Sequence, residues 1–173
     1  MNVLVINCGS SSLKAAVIDS TAGNRIVEMR AERLGTSGAR YRITDQWQSL
    51  ENADHSAVLN DFLDAIEVGI DAVGHRVVHG GAEFKGAVRI TPKVIAGIER
   101  CIALAPLHNP ANLIGIHTVL ERFPELLHVA VFDTAFHSTL PRRAKHYAMS
   151  NQLASDYGIQ RYGFHGPSHQ WVS

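Results

Sequence analysis

The residues Asn7-Cys8-Gly9-Ser10-Ser11-Ser12-Leu13-Lys14 follow a short apolar run, Val3-Leu4-Val5-Ile6, and lead into a second one. Small, hydroxyl-rich residues at such a turn gather backbone N–H groups, serine hydroxyls and one ammonium around a single point, which is what a phosphoryl group needs. The stretch is not a Walker A loop, because that pattern requires Gly-Lys-[Ser/Thr] leading into a helix. Residues of β type follow Lys14, so a hairpin turn would hold the phosphate. A tight polar turn with a solvated lysine explains the same residues without a ligand.

Gly74-His75-Arg76-Val77-Val78-His79-Gly80-Gly81 is the second chemically suggestive stretch. Strand alternation puts Arg76, Val78 and Gly80 on one face and His75, Val77 and His79 on the other. An arginine beside a valine and glycines suits a small anion with an apolar tail: the guanidinium offers a planar fork, valine walls an aliphatic group and glycine admits a ligand close to the backbone. A strand-end arginine in a surface ion pair is the duller alternative. His75 and His79 read poorly as zinc ligands, since no third ligand falls at a recognisable spacing and the chain has 10 histidines.

Leu107-His108-Asn109-Pro110 stands at a predicted helix N-terminus, where free N–H groups favour an anion that His108 could hydrogen-bond. Asn109 acting as a plain N-cap accounts for the same residues. Asp133-Thr134-Ala135-Phe136-His137 and Gly163-Phe164-His165-Gly166 set a carboxylate beside histidines, which serves acid–base chemistry or merely fills core and loop positions.

Positioning these residues requires a definite set of elements. Val3–Cys8 and Leu13–Asp19 are predicted as the arms of a hairpin around Gly9–Ser12, with Arg25–Leu34 and Arg40–Thr44 continuing a meander. Val58, Leu59, Phe62, Leu63 and Ile66 recur at helical spacing, which predicts a helix from His55 to about Val68. Ala72–Val78 returns as a strand; Pro92 and Pro110 open helices over Lys93–Leu104 and Ala111–Phe123. Leu127–Phe132 is a continuous apolar strand that delivers Asp133 at its end. A short helix is expected from Asn151 onward.

The composition is that of a globular chain able to bury a core: 173 residues, 46% hydrophobic and 18% charged. Sixteen basic and sixteen acidic residues cancel, without runs of like charge, so nucleic acid is not an expected partner. Nothing approaches the roughly 20 apolar residues of a membrane span, and no basic n-region precedes the first apolar run. A cytoplasmic location is expected. Cys8 and Cys101 show no framework spacing and read as reduced thiols, neither of them an activated nucleophile.

Taken in order, five motifs resemble the acetate kinase family, the acetate/propionate kinases of the sugar kinase, Hsp70 and actin superfamily. They are Val5–Lys14, Gly74–Gly81, Ala105-Pro106-Leu107-His108-Asn109-Pro110, Val131–His137 and Arg161-Tyr162-Gly163-Phe164-His165-Gly166. The resemblance implies an α/β fold of the actin-like, ribonuclease H-like kind, a mixed sheet with helices on its faces. It also implies reversible transfer of the ATP γ-phosphoryl to acetate or another short-chain carboxylate, giving an acyl phosphate and ADP, with Mg²⁺ required. By that resemblance Asn7 lies near the metal and phosphates, and Ser10, Ser12 and Lys14 line the phosphate region. Arg76 binds the carboxylate, while Val78 and Leu107 wall the acyl methyl group with Phe164 beside them. His108 and His165 lie near the transferring phosphoryl, and Asp133 is essential to catalysis. A carboxylate is already ionised at neutral pH and needs no general base, so Asp133 is expected to organise Mg²⁺ and arginine.

Family members are roughly twice this long, with a second actin-like domain holding the adenosine, and a homodimer is expected of the full-length form. The chain is therefore expected to hold a first domain over residues 1–137 and the opening of a second over 138–173, inactive alone. Pro167 stands where the family usually has threonine, removing a hydroxyl and a backbone N–H beside His165. The alternative reading is a non-catalytic actin-like domain that binds a small anion or a protein partner.

Overall fold

A computed structural model describes residues 1–43, 45–50 and 53–173. Five strands at the start and three later ones form one eight-stranded sheet in the order β5-β4-β3-β2-β1-β6-β8-β7. Strand β1 (Asn2–Cys8) pairs antiparallel with β2 (Ser12–Asp19), which pairs antiparallel with β3 (Asn24–Glu32). The meander continues through β4 (Arg40–Arg42) and β5 (Gln48–Ser49). On its other side β1 pairs parallel with β6 (Ala72–Val77), and β6 pairs parallel with β8 (Leu127–Phe132), so three parallel strands lie side by side. The short β7 (Val88–Arg89) closes the edge antiparallel to β8.

The helices start where their sequences say they should. Asp54 caps α1 (His55–Asp64) by accepting from the Ala57 N–H, and Thr91 caps α2 (Pro92–Arg100) through the Val94 N–H, with Pro92 in the first turn. Helix α3 (Asn109–Arg122) likewise has Pro110 in its first turn. These three helices pack on one sheet face. Leu4, Ile6, Leu13, Ala15 and Val17 alternate inward along β1 and β2 and bury Val58, Leu59 and Phe62 of α1 and Val119 of α3. A second cluster joins Val77, Ala130 and Phe132 to Ile98 of α2 and Ile116 of α3. Full burial contributes about 1.5–3 kcal/mol for each such large side chain. Three short helices follow β8: α4 (Arg142–Lys145), α5 (Asn151–Asp156) and α6 (Gly166–Val172). No helix among the described residues is long and apolar enough to cross a membrane.

Several boundaries differ from the periodic expectation. Helix α1 ends at Asp64, four residues before Val68, and the predicted span Lys93–Leu104 divides into α2 and a 3-10 turn, Cys101–Leu104. Strand β3 stops at Glu32 because Arg33 takes a left-handed conformation with φ 56° and turns the chain. Thr44, the expected end of the fourth strand, lies outside the described residues. Strand β6 ends at Val77, so alternation does not extend to Gly80. A Cβ on Gly80 would meet ring atoms of Phe132 at 2.9 Å and Cβ of Phe84 at 3.0 Å, while Phe84 and Phe132 stack with centroids 4.6 Å apart. Gly80 makes room for the core and not, as expected, for a ligand.

Candidate active site

The carboxyl ends of the three parallel strands β1, β6 and β8 deliver the Gly9–Ser11 turn, Arg76 with Val78, and Asp133 to one edge of the sheet. Between them and the start of α3 lies a cavity of about 560 Å³. Ser10, Ser12, Arg76, Val78, Leu107, His108, Asp133, Phe164 and His165 all line it, so nine of the residues singled out by sequence reach one place. Open α/β sheets bind ligands at this edge because strand ends leave backbone groups and loops free there.

Arg76 and Asp133 form its polar centre. The Arg76 Nε donates to Asp133 Oδ1 at 2.9 Å and Nη2 to Oδ2 at 2.6 Å, while Nη1 donates to Asn7 Oδ1 at 2.8 Å. The Asp133 side chain is 2% exposed and that of Arg76 31%, so the pair has a buried end and an end facing the cavity. Of the five N–H groups of a guanidinium, three are engaged, leaving one on each terminal nitrogen for an anion. The sequence reading of Arg76 as a whole fork for a substrate is thereby narrowed: one edge of the fork belongs to Asp133.

His165 is held against the same carboxylate. It lies in the left-handed region with φ 54°, and this conformation lets its own N–H face Asp133 Oδ2 at 3.4 Å. The following Gly166 N–H donates to the Asp133 carbonyl at 2.8 Å. A side chain at Gly166 would collide with that carbonyl oxygen at 2.3 Å. The His165 Nδ1 is 3.7 Å from Asp133 Oδ2, with its ring projecting outward. Pro167 sits in the first turn of α6, where a missing N–H costs nothing.

The Gly9–Ser12 turn is braced from below. Gly9 N–H donates to Ser12 C=O at 2.7 Å, and the Gly9 carbonyl lies 2.7 Å from His55 Nε2 at the start of α1. Lys14 does not converge with Ser10 and Ser12. It stands opposite Asn7 on the open sheet face, where both line a separate hollow with Arg25 and Arg30. Two residues along a strand carry a side chain roughly 6–7 Å onward, which takes Lys14 past the turn.

Two asparagines that sequence reasoning did not assign to the site fix its walls. Asn112 accepts from Val78 N–H at 2.9 Å and donates to the Cys8 carbonyl at 2.6 Å. Asn109 accepts from His79 N–H at 3.1 Å and donates to the His79 and Ile98 carbonyls. Asn109 is thus a buried clamp and not the cap of α3; His108 occupies the cap position, without a side-chain capping bond. Their signal in the sequence is only two asparagines one helical turn apart, with partners 11 to 104 residues away. Leu104, Ala105 and Pro106 complete the cavity wall.

The remaining candidates go elsewhere. His75 Nε2 lies 3.1 Å from His128 Nδ1 inside the sheet, and His79 Nδ1 accepts from Gly81 N–H. Burial pushes the Cys8 thiol up to about 12, which keeps it protonated and unreactive.

The oxygen donors near Arg76 suit a hard cation in kind, since Mg²⁺ keeps waters and takes one or two protein oxygens together with phosphates. Asn7 Oδ1 and both Asp133 oxygens already accept from Arg76. An ion there fits as one held through water or through the second lone pair of these oxygens.

Comparison with known proteins gives the family of the chain. The acetokinase family profile matches residues 2–173. An acetate kinase of Deinococcus radiodurans is 46% identical over 100% of this chain and 46% of its own length. A propionate kinase from Francisella tularensis superposes with a TM-score of 0.90 at 42% identity, covering 99% of this chain and 47% of the other. The acetate kinase of Porphyromonas gingivalis gives a TM-score of 0.86 at 40% identity, over 97% of this chain and 46% of that one. The chain spans about half the length of these relatives, and its mixed sheet is their actin-like α/β fold.

Proposed function

Since this chain belongs to the acetokinase family, we propose that its cavity is the carboxylate side of an enzyme that reversibly moves the γ-phosphoryl of ATP onto acetate, giving acetyl phosphate and ADP. The observation that carries the reading is the Arg76 guanidinium, which has two of its five N–H groups left for a cavity walled by Val78, Leu107 and Phe164. A short carboxylate matches that arrangement in charge and in its apolar tail.

In this reading Arg76 holds the substrate carboxylate and Asp133 holds Arg76, with its long, flexible side chain fixed in one geometry. His108 and His165 stand where a phosphoryl group would cross, and the Ser10 and Ser12 hydroxyls face it from the turn. Phosphoryl transfer leaves little covalent work for a protein, so charge neutralisation and in-line positioning supply most of the acceleration. Mg²⁺ held near Asn7 and Asp133 would neutralise phosphate charge. Lys14, expected from the resemblance to line the phosphate region, lies in a separate hollow and has no role in this reading. One methylene in an apolar pocket changes selectivity by only ~1–3 kcal/mol, so propionate is a neighbouring substrate.

Residues 1–137 form the first domain in this proposal and 138–173 the opening of the second, which in a longer protein supplies the adenosine site. The test is a hydroxamate assay of the 173-residue chain beside the full-length gene product, with acetate, ATP and Mg²⁺. Acetohydroxamate from the full-length protein and none from the 173 residues is the expected result. Turnover by neither refutes the assignment, and equal turnover by both refutes the division of labour.

A further inference from the structure

We propose that a second cavity, enclosed by Lys85, Lys145 and Arg161, is a binding site for a small dianion of the phosphate class. It shares no lining residue with the Arg76 cavity. The three cations come from separate parts of the chain: Lys85 from the loop after β6, Lys145 from the end of α4, and Arg161 from the segment before Tyr162. Arg161 N–H donates to the Lys145 carbonyl at 2.8 Å, so two of them are pinned together through the backbone.

Three cationic residues line one cavity, and an anion bound among them would offset their mutual repulsion. Among the described residues, no Asp or Glu lines the cavity and none of the three cations has a carboxylate within ion-pair distance. Lys145 Nζ donates to the Ser138 carbonyl, which leaves two of its three N–H groups. The Arg161 guanidinium lies 5.3 Å from the centre of the Tyr147 ring, which engages its face and not its N–H edge. Thr134 is buried, and its oxygen accepts from Gly80 N–H at 3.0 Å, so its own O–H is free to donate into the cavity.

Size and lining select the ligand. The volume is about 130 Å³, well below the ~300 Å³ at which drug-sized molecules begin to be enclosed. No aliphatic side chain larger than alanine lines it, in contrast to the Val78 and Leu107 walls of the first cavity. A small anion with several oxygens fits, and three cations favour two negative charges over one. The site also borders the candidate active site through the backbone: His137, in its wall, lies with Nε2 2.9 Å from the Phe164 carbonyl, and the His137 ring leaves no room for a side chain at Gly163.

The experiment is a titration of the isotopically labelled 173-residue chain with inorganic phosphate, at fixed pH and with ionic strength held by sodium chloride. The ring resonances of His137 report this cavity and those of His165 the other. The expected result is a saturating single-site shift at His137, weakened at least tenfold by Lys145→Gln and at least threefold by the exposed Lys85→Gln. The His165 response stays unchanged in both variants. Lys85→Gln decides the matter alone if Lys145→Gln fails to fold. Glycerol phosphate, titrated after phosphate, distinguishes the sources: binding as tight as that of phosphate points to the phosphoryl group of a larger ligand, and weaker binding to the free anion. A His137 ring unmoved by phosphate, a shift reproduced by chloride, or midpoints within twofold of wild type in the folded variants would overturn the proposal.

Discussion

Three of the five N–H groups of Arg76 are held by Asp133 and Asn7, and this division decides what substitution there does. A lysine keeps the charge beside the buried carboxylate but cannot serve Asp133, Asn7 and a substrate from fixed directions at once. Under the proposed function, Arg76→Lys in a full-length enzyme is therefore expected to lower kcat/KM for acetate by more than tenfold, with circular dichroism unchanged. Steady-state kinetics at saturating ATP and Mg²⁺ provide the measurement. A value within threefold of wild type, about 0.7 kcal/mol, would take Arg76 out of the site. Complete removal is a different case. Arg76→Ala strands a carboxylate that is 2% exposed, and breaking a buried pair in this way costs ~3–5 kcal/mol in urea unfolding.

Elements hold the site through a few backbone clamps that come from neighbouring elements. Asn112 on α3 satisfies the last carbonyl of β1 and the N–H just beyond β6, so one side chain sets the spacing of two strand ends. Asn112→Ala leaves both buried groups unpaired, at ~1–3 kcal/mol each. The expected loss in equilibrium unfolding is at least ~2 kcal/mol, and a loss below ~0.5 kcal/mol would mean that water replaces the clamp. Gly166 plays the corresponding part at the other end, where α6 starts against Asp133. Its added Cβ would meet backbone oxygen, which has no rotamer to escape through. Gly166→Ala should therefore displace His165 and abolish activity in the full-length enzyme while β1–β3 keep their amide protection. Gly97 offers a milder comparison, since its Cβ would meet the ring of Phe84, a side chain that can shift.

The whole molecule carries a pH dependence written into its sheet. His75 on β6 and His128 on β8 face each other, with His128 Nε2 2.9 Å from the Phe123 carbonyl. If His128 donates there, its Nδ1 accepts from His75 Nε2, and His75 Nδ1 is left as a buried nitrogen without a partner. The His75 ring is then neutral. Burial, reinforced by His128, lowers the His75 pKa from 6.5 to about 3. The unfolded chain thus takes up a proton below pH 6.5 that the folded chain refuses until about pH 3, and stability falls as pH falls through that window. The contribution approaches ~1.4 kcal/mol per pH unit in its steep part. Urea unfolding between pH 6.5 and 4 should show a slope shallower by about one proton in His75→Leu than in wild type. Equal slopes would mean that His75 titrates normally in the fold.

Much of this molecule is legible in local pattern. Alternation along Val3–Cys8 and Leu13–Asp19, the caps Asp54 and Thr91, the first-turn prolines Pro92 and Pro110, and an aspartate directly after an apolar strand each depend on a few adjacent residues. Dihedral preference and side-chain face are local properties, so the hairpin, the three main helices and the edge on which Asp133 emerges follow from sequence alone. Which groups then meet is a different question. The pairing of Arg76 with Asp133 across 57 positions, the parting of Lys14 from Ser12, and the burial of Asn109 and Asn112 as clamps follow from the order in which the strands pair. Two-residue strands such as β5 and β7 exist only because a neighbour offers them a ladder. Gly80 shows the limit most plainly: glycine beside a candidate anion site reads as access for a ligand, and only the packed ring of Phe132 reveals that the space was needed by the core. Local sequence determines where a side chain points, whereas its partner is set by packing between distant segments, and that is decided in three dimensions.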